Sequence, residues 1–236
     1  MASYVELILD VTGPAGVTAT LEGGANFTTG QLVDCAIATS DADATGYKVK
    51  IWGDVDETEN PNIQTDEADA IYFSPTWDVN EVTQQVKLVS GDGLKTIYVK
   101  IMDTVDNVSS SANDTITLDE TSPAITTGDP NVPRISNKTG KRTAVFTFQA
   151  DTAFDEYVVM VVPTTGSVYA DGTVIGTTNG SANTSGNAGE YPATTPISVT
   201  VDYDDLIAAG AASGETPNIV KVFVKEHSDV EEWTTI

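Results

Sequence analysis

The chain has one cysteine, one histidine and only eleven basic residues among 236. Cys35 alone cannot build a disulfide-stapled scaffold. Eleven bases against 35 acids leave a net charge of −24, which repels a phosphate backbone, so no nucleic-acid partner is expected. No apolar run approaches the roughly 20 residues that a membrane-spanning helix needs, so no membrane partner is expected either. The opening Met1-Ala-Ser-Tyr-Val-Glu-Leu-Ile-Leu-Asp lacks the basic stretch and long apolar core of a secretory signal. The expectation is a chain made in a cytoplasm that stays there or leaves by a route reading no such signal. Aromatic residues are scarce at 7%, which argues against an aromatic-lined, sugar-cleaving cleft. Hydrophobic residues are not scarce: at 40%, and regularly placed, they argue against disorder.

Short alternating runs separated by Gly, Asn, Asp and Pro dominate the chain. Val33, Cys35 and Ile37 alternate with Asp34 and Ala36, and Tyr47, Val49 and Ile51 with Lys48 and Lys50. Ile97, Val99 and Ile101 alternate with Tyr98 and Lys100, and Val220, Val222 and Val224 with Lys221, Phe223 and Lys225. Period two with one polar face predicts strands that cover a core on one side only. Their Val, Ile, Thr and aromatic content suits a pleated surface, and the many turns between them point to sandwiches or barrels. One segment reads as helix. Asp202 can cap it, Asp204 and Asp205 suit its first turn, and Gly210 suits the left-handed position after its end. It is long enough only for a crossover between two strands.

Pro123, Pro130 and Pro133 interrupt strand patterning and mark a linker with an irregular first strand beyond it. Two domains are expected, residues 1–121 and 122–236, with 21 acids and 5 bases in the first and 14 and 6 in the second. They look like divergent copies of one plan. Each closes with a long strand, an acidic turn and a short last strand: Thr96–Asp103 then Thr115–Leu118, and Ile219–Glu226 then Glu232–Ile236. The second domain also carries a Thr/Ser/Asn/Gly-rich stretch at 164–196, read as a hairpin or loop. The fold expected is all-β: two tandem antiparallel β-sandwiches with one short crossover helix in the second.

Two blocks of the first half carry a family likeness. One comprises Gly13-Pro-Ala-Gly-Val-Thr, Glu22-Gly-Gly-Ala-Asn-Phe-Thr and Ser40-Asp-Ala-Asp-Ala-Thr-Gly-Tyr-Lys-Val-Lys-Ile-Trp-Gly-Asp. The other, more specific, comprises Ser90-Gly-Asp-Gly-Leu-Lys-Thr-Ile-Tyr-Val-Lys-Ile-Met-Asp-Thr-Val-Asp-Asn-Val-Ser and Asp114-Thr-Ile-Thr-Leu-Asp-Glu-Thr-Ser-Pro. Over residues 10–125 the chain resembles the bacterial and phage immunoglobulin-like repeat of virion structural proteins and surface adhesins. The resemblance implies a spacer, decoration or adhesive module and no catalysis. The chain departs from the antibody-type pattern: Cys35 has no partner, and Trp52 falls on the Lys48/Lys50 face by parity.

Asp54, Asp56, Glu57, Glu59, Asp66, Glu67 and Asp69 fall within sixteen residues that contain no base. Calcium needs several hard oxygens converging on one point. Asp54, Asp56, Glu57 and Glu59 come nearest to such a set, and Asp41 with Asp43, or Asp103 with Asp106, could lie at the same end of a sandwich. No EF-hand spacing is present and no metal ligand is assigned; the plain reading is a solvated, self-repelling loop. His227 with Asp229 offers a base and an orienting acid, but no nucleophile motif accompanies them, so a surface turn is the stronger reading. Zinc lacks ligands for the same reason. Carboxylate pairs are too abundant to be diagnostic of glycoside hydrolysis. Gly91-Asp-Gly93 and Gly23-Gly24 read as turns, not a phosphate cradle. Cys35 reads as a core thiol. Tyr72, Phe73, Trp77 and Trp233 stand apart from the other aromatics, with Trp233 packing either in the core or on a neighbouring subunit.

No catalytic or cofactor-binding residue is assigned. The function expected is that of a bacteriophage virion structural or decoration protein, capsid-, neck- or tail-associated, present in many symmetric copies. It would bind other virion proteins, docking through the leading segment Tyr4–Asp10. The alternative is a receptor- or carbohydrate-binding adhesin module, with calcium as its conceivable cofactor.

Overall fold

The computed structural model describes residues 8–128, 130–163, 169–175, 182–187, 189–212, 218–226 and 233–235. The chain divides into two compact units, Met1–Glu120 and Thr121–Ile236.

In the first unit the alternating runs become β1 (Thr18–Leu21), β2 (Phe27–Thr28), β3 (Leu32–Ala38), β4 (Lys48–Gly53), β5 (Glu81–Lys87), β6 (Gly93–Met102) and β7 (Ala112–Leu118). They form a three-stranded sheet, β1-β3-β5, and a four-stranded sheet, β2-β7-β6-β4. Every pairing is antiparallel except the short parallel match of β2 with β7. The inward positions of both sheets meet in one core. Leu21, Val33, Cys35, Ile37, Val82 and Val86 come from one sheet, and Val49, Ile51, Ile97, Val99, Ile101, Ile116 and Leu118 from the other. Burying each aliphatic side chain contributes about 1.5–3 kcal/mol, so the core-facing positions fix the register. This strand order, with β4, β6 and β7 facing β1, β3 and β5, is that of an immunoglobulin-type sandwich.

The second unit repeats the plan. Its strands are β8 (Ile125–Thr127), β9 (Thr143–Ala150), β10 (Glu156–Val162), β11 (Thr173–Val174), β12 (Ala182–Asn183), β13 (Ile197–Asp202), β14 (Ile219–Lys225) and β15 (Thr234–Thr235). Sheet β13-β9-β8 matches β5-β3-β1, and β10-β14-β15 matches β4-β6-β7. Phe148, Phe154, Tyr157, Val159, Val199, Val201, Val222 and Val224 fill the space between the sheets. Between β13 and β14 lies α1 (Tyr203–Ala208). Asp202 caps it, accepting from the Asp204 N–H at 2.8 Å. Gly210, at φ +89°, follows its end and lets the Ala211 N–H turn back to the Leu206 carbonyl.

One sequence expectation is corrected here. The strands of the second unit do not all have a polar face. All seven residues of β10 are buried, and Phe223 of β14 is 0% exposed although it lies opposite Val222 and Val224 in parity. Val158, Met160, Val162 and Phe223 form a small second core on the outer side of the β10–β14 pair. Tyr169, Val174, Ala182 and Trp233 pack against it. The polar stretch 164–196 thus contributes β11 and β12, which pair with β10, and much of the remainder lies outside the described residues. Among the described residues no helix is long and apolar enough to cross a membrane.

Candidate functional site

The acidic connection from β4 to β5 concentrates more charge than any other segment. It is not a loose, self-repelling loop. Its residues lie along β4, where the Val49 and Phe73 backbones exchange hydrogen bonds of 2.8 and 2.9 Å and the Gly53 N–H reaches the Gln64 carbonyl at 3.3 Å. Each leading carboxylate has a hydrogen-bond or ion-pair partner, and Asp56 and Glu59 share Lys87. Asp54 Oδ2 accepts from the Thr96 N–H at 2.8 Å. Asp56 Oδ1 accepts from the Thr58 amide and hydroxyl at 2.9 and 2.6 Å, while its Oδ2 faces Lys87 Nζ at 3.0 Å. Glu57 Oε1 accepts from the Thr65 amide and hydroxyl at 3.0 and 2.8 Å. Glu59 lies 3.6 Å from Lys87 Nζ, and Glu67 pairs with Lys100.

The bases absent from the segment are therefore supplied by β5 and β6, a correction that only the fold reveals. The Thr58 hydroxyl and amide, then Lys87, hold the Asp56 carboxyl down at about 2. The Thr65 amide and hydroxyl lower that of Glu57, and hydrogen bonding to Asp56 raises the Lys87 ammonium. These carboxylates are spread over separate turns and strands. Among the described residues no three acidic, histidine or cysteine side chains gather where they could hold a metal ion. The structure does not bring Asp54, Asp56, Glu57 and Glu59 together around a common point.

The second acidic group lies at the end of the first unit where the β6–β7 turn sits. Asp103 is buried and shapes that turn: its Oδ1 accepts from the Val105 and Asn107 amides at 2.8 Å each, and its Oδ2 from Asn107 Nδ2 at 2.9 Å. Burial works against its charge, but these donors outweigh burial and the carboxyl titrates below its ordinary range. The Tyr47 hydroxyl donates to Asp41 Oδ2 at 3.0 Å. Burial, then the hydrogen bond and charge of Asp41, then Asp103 and Asp10, push this phenol up to about 12. Asp43 accepts from the Thr45 amide at 2.8 Å, and Asp106 faces Lys48 at 3.8 Å. All of this is turn architecture.

The aromatic residues divide by environment. Trp52 lies on the outer face of β4, as parity predicts, yet it is only 9% exposed. It stacks on Tyr98 at 5.5 Å, and Lys100 lies over its ring. Tyr98 itself remains 37% exposed. Lys50 lies over Tyr72. Phe73 and Trp77 pack against the first core, where the Trp77 indole N–H donates to the Tyr47 carbonyl at 2.9 Å. Trp233 stacks on Tyr169 at 5.0 Å against the second unit's outer core, so packing within its own unit accounts for it. Cys35 is fully buried, and burial, then the charge of Asp114, pushes its thiol up to about 12. His227 and Asp229 lie outside the described residues.

Of the leading segment, residues 4–7 lie outside the described residues, and Ile8, Leu9 and Asp10 form no strand. Ile8, Leu9 and Val11 are 89%, 85% and 72% exposed, which makes them the most exposed large aliphatics among the described residues. Their backbone touches its own unit where Asn107 Nδ2 donates to the Asp10 carbonyl at 3.4 Å. Two shallow hollows flank β5. One of about 450 Å³ is lined by residues 76 and 78–83, and one of about 160 Å³ by Leu32, Asp56, Glu59, Ile63, Gln85 and Lys87 among others.

No protein-family model matches the chain. No curated protein matches it. Among solved structures, an alpha-L-rhamnosidase from Dictyoglumus thermophilum is similar over 95% of this chain, at 12% identity and a TM-score of 0.30. The chain spans 29% of that protein's length, and a likeness this loose says nothing of activity.

Proposed function

We propose that the chain is a structural or decoration protein of a bacteriophage particle, associated with capsid, neck or tail, that works by contact with other virion proteins and not by catalysis. The observation that carries this reading is the leading segment. Ile8, Leu9 and Val11 stand in solvent at 72–89% exposure, while the core of their own unit is filled without them. Aliphatic side chains grouped in so short a stretch gain free energy only when something covers them. Support comes also from the sequence resemblance of residues 10–125 to virion immunoglobulin-like repeats, and from acids that are committed to holding turns and connections.

In this reading one unit docks on a symmetric shell or tail protein and the other projects. The charge of −24 keeps neighbouring copies soluble and discourages adhesion to released DNA. Deleting residues 1–11 is expected to abolish incorporation into assembling particles while both units retain their melting transitions. Incorporation at the wild-type level would overturn the proposal.

A glycan- or receptor-binding adhesin is the second reading, favoured by Tyr98. This half-exposed ring on an outer sheet face is backed by Trp52, an arrangement on which a sugar ring could stack. Glycan-array binding that Tyr98→Ala removes would favour it.

A further inference from the structure

The register of β5 leaves a short window of unpaired backbone on its outer edge. The Leu88 N–H donates to the Gln31 carbonyl at 2.7 Å and the Thr39 N–H to the Asn80 carbonyl at 3.0 Å. Both pairs continue the β3–β5 register, so even-numbered residues of β5 bond to β3 and odd-numbered ones point away. The outward groups are closed off at both ends. Asp78 and Glu81 exchange hydrogen bonds of 2.7 and 3.1 Å, and the Asp56 N–H takes the Lys87 carbonyl at 2.8 Å. Between these closures, the outward N–H groups of Thr83, Gln85 and Lys87 and the Thr83 carbonyl have no protein partner among the described residues; the Gln85 carbonyl has only the neighbouring Gln84 side chain, at 3.1 Å. The β4 edge of the opposite sheet, by contrast, is covered through Gln64 and Phe73.

Beside this window lies the hollow of about 160 Å³, floored by half-exposed Leu32 and buried Ile63 and rimmed by polar and charged groups, Asp56, Glu59, Gln85 and Lys87 among them. Its volume leaves room for one aliphatic side chain laid against Leu32 inside the polar rim. The chain itself carries a segment suited to the place. Val5, Leu7, Leu9 and Val11 alternate with Glu6, Ile8 and Asp10, a strand pattern. Its own unit leaves Leu9 and Val11 in solvent.

We infer that the leading segment of one copy adds as an extra strand to the outer edge of β5 in a second copy, placing an aliphatic side chain in the hollow beside Leu32 and Ile63. Strand addition supplies the missing hydrogen-bond partners, and the aliphatic anchor supplies specificity. The contact is heterologous, so it builds rings or filaments. The inference rests on the proposed assembly role of this segment and specifies its partner.

The test is sedimentation velocity and light scattering of the full chain. A five-residue strand contact is small and transient, so association in a range of about 10–100 μM is expected. Deleting residues 1–11, or Leu9→Asp, is expected to abolish it. Gln85→Pro removes an N–H that points away from β3, so the unit keeps its melting temperature while self-association falls at least about tenfold. The deletion variant mixed with Gln85→Pro is expected to yield a one-to-one dimer and nothing larger, since one supplies only the edge and the other only the strand. A wild-type chain that stays monomeric above about 1 mM, or a deletion or proline variant that associates like wild type, overturns the inference. If the deletion abolishes incorporation into particles while the purified wild type stays monomeric, the assembly role stands and this partner assignment falls.

Discussion

Gly53→Ala is expected to unfold the first unit more readily than any conservative substitution at its surface. Gly53 ends β4 with φ +130°, a region closed to residues with a side chain. A Cβ built there would meet the Thr96 carbonyl oxygen at 2.2 Å, its carbon at 3.2 Å and Ile97 Cα at 3.3 Å. All three are backbone atoms of β6, and none can swing aside. Moving Thr96 breaks two hydrogen bonds at once: its N–H to Asp54 Oδ2 at 2.8 Å and its carbonyl to the Asp54 N–H at 3.0 Å. Backbone strain of this kind costs about 1–3 kcal/mol. A lost neutral hydrogen bond adds about 1 kcal/mol and a charged one about 2. The expected loss is about 4–6 kcal/mol, a large share of the 5–15 kcal/mol typical of a domain. In calorimetry of the full chain, the transition of the first unit should fall by roughly 15–25 °C and that of the second should not move. Gly91→Ala is the control. Gly91 also has positive φ, +93°, but a Cβ there meets nothing within 4 Å. It should cost only the conformational penalty of about 1–2 kcal/mol. If Gly53→Ala melts no lower than Gly91→Ala, the close approach of β4 to Thr96 is wrong.

Two further outcomes follow from the same unit. Val79 is β-branched, 57% exposed and held at φ +58°, so Val79→Asn should stabilise the unit by about 1 kcal/mol in urea denaturation, and a loss of stability would refute the strain. Asp56 is held at about 2, below its ordinary 3.8, so its stabilising effect is present above the unfolded value and disappears as pH falls through the folded one. The difference between wild type and Asp56→Asn in denaturation midpoint should be constant above about pH 5 and shrink towards pH 2; a difference that grows on acidification would contradict the Thr58 and Lys87 contacts.

Much of this architecture is written in local alternation. Val33, Cys35 and Ile37 point inward as their spacing predicts, and so do Ile97, Val99 and Ile101, because a one-residue slip would turn each set to water. The cap at Asp202 and the stop at Gly210 are equally local, since both depend on backbone groups within one turn. What alternation cannot show is the second layer. Trp52 and Phe223 occupy the faces that parity assigns them, and they are buried because other segments cover those faces. The acidic connection hides its partners from sequence for a related reason. Its compensating charges, Lys87 and Lys100, stand about thirty residues away in sequence from the carboxylates they meet, and reach them only through strand pairing. The open window on β5 depends on which residues of β3 it faces, and register is a property of two strands together.

The uninterrupted burial of β10 bears on how this chain can diverge. Most strands offer natural variation a free side, where polar residues exchange at little cost. β10 offers none: Tyr157 to Val162 contact apolar neighbours above and below, so drift there is confined to aliphatic and aromatic exchanges of similar volume. When distant relatives are aligned, this hexapeptide should therefore be the steadiest landmark of the second unit, and a charged residue within it would mark a relative whose outer layer has been rebuilt or lost.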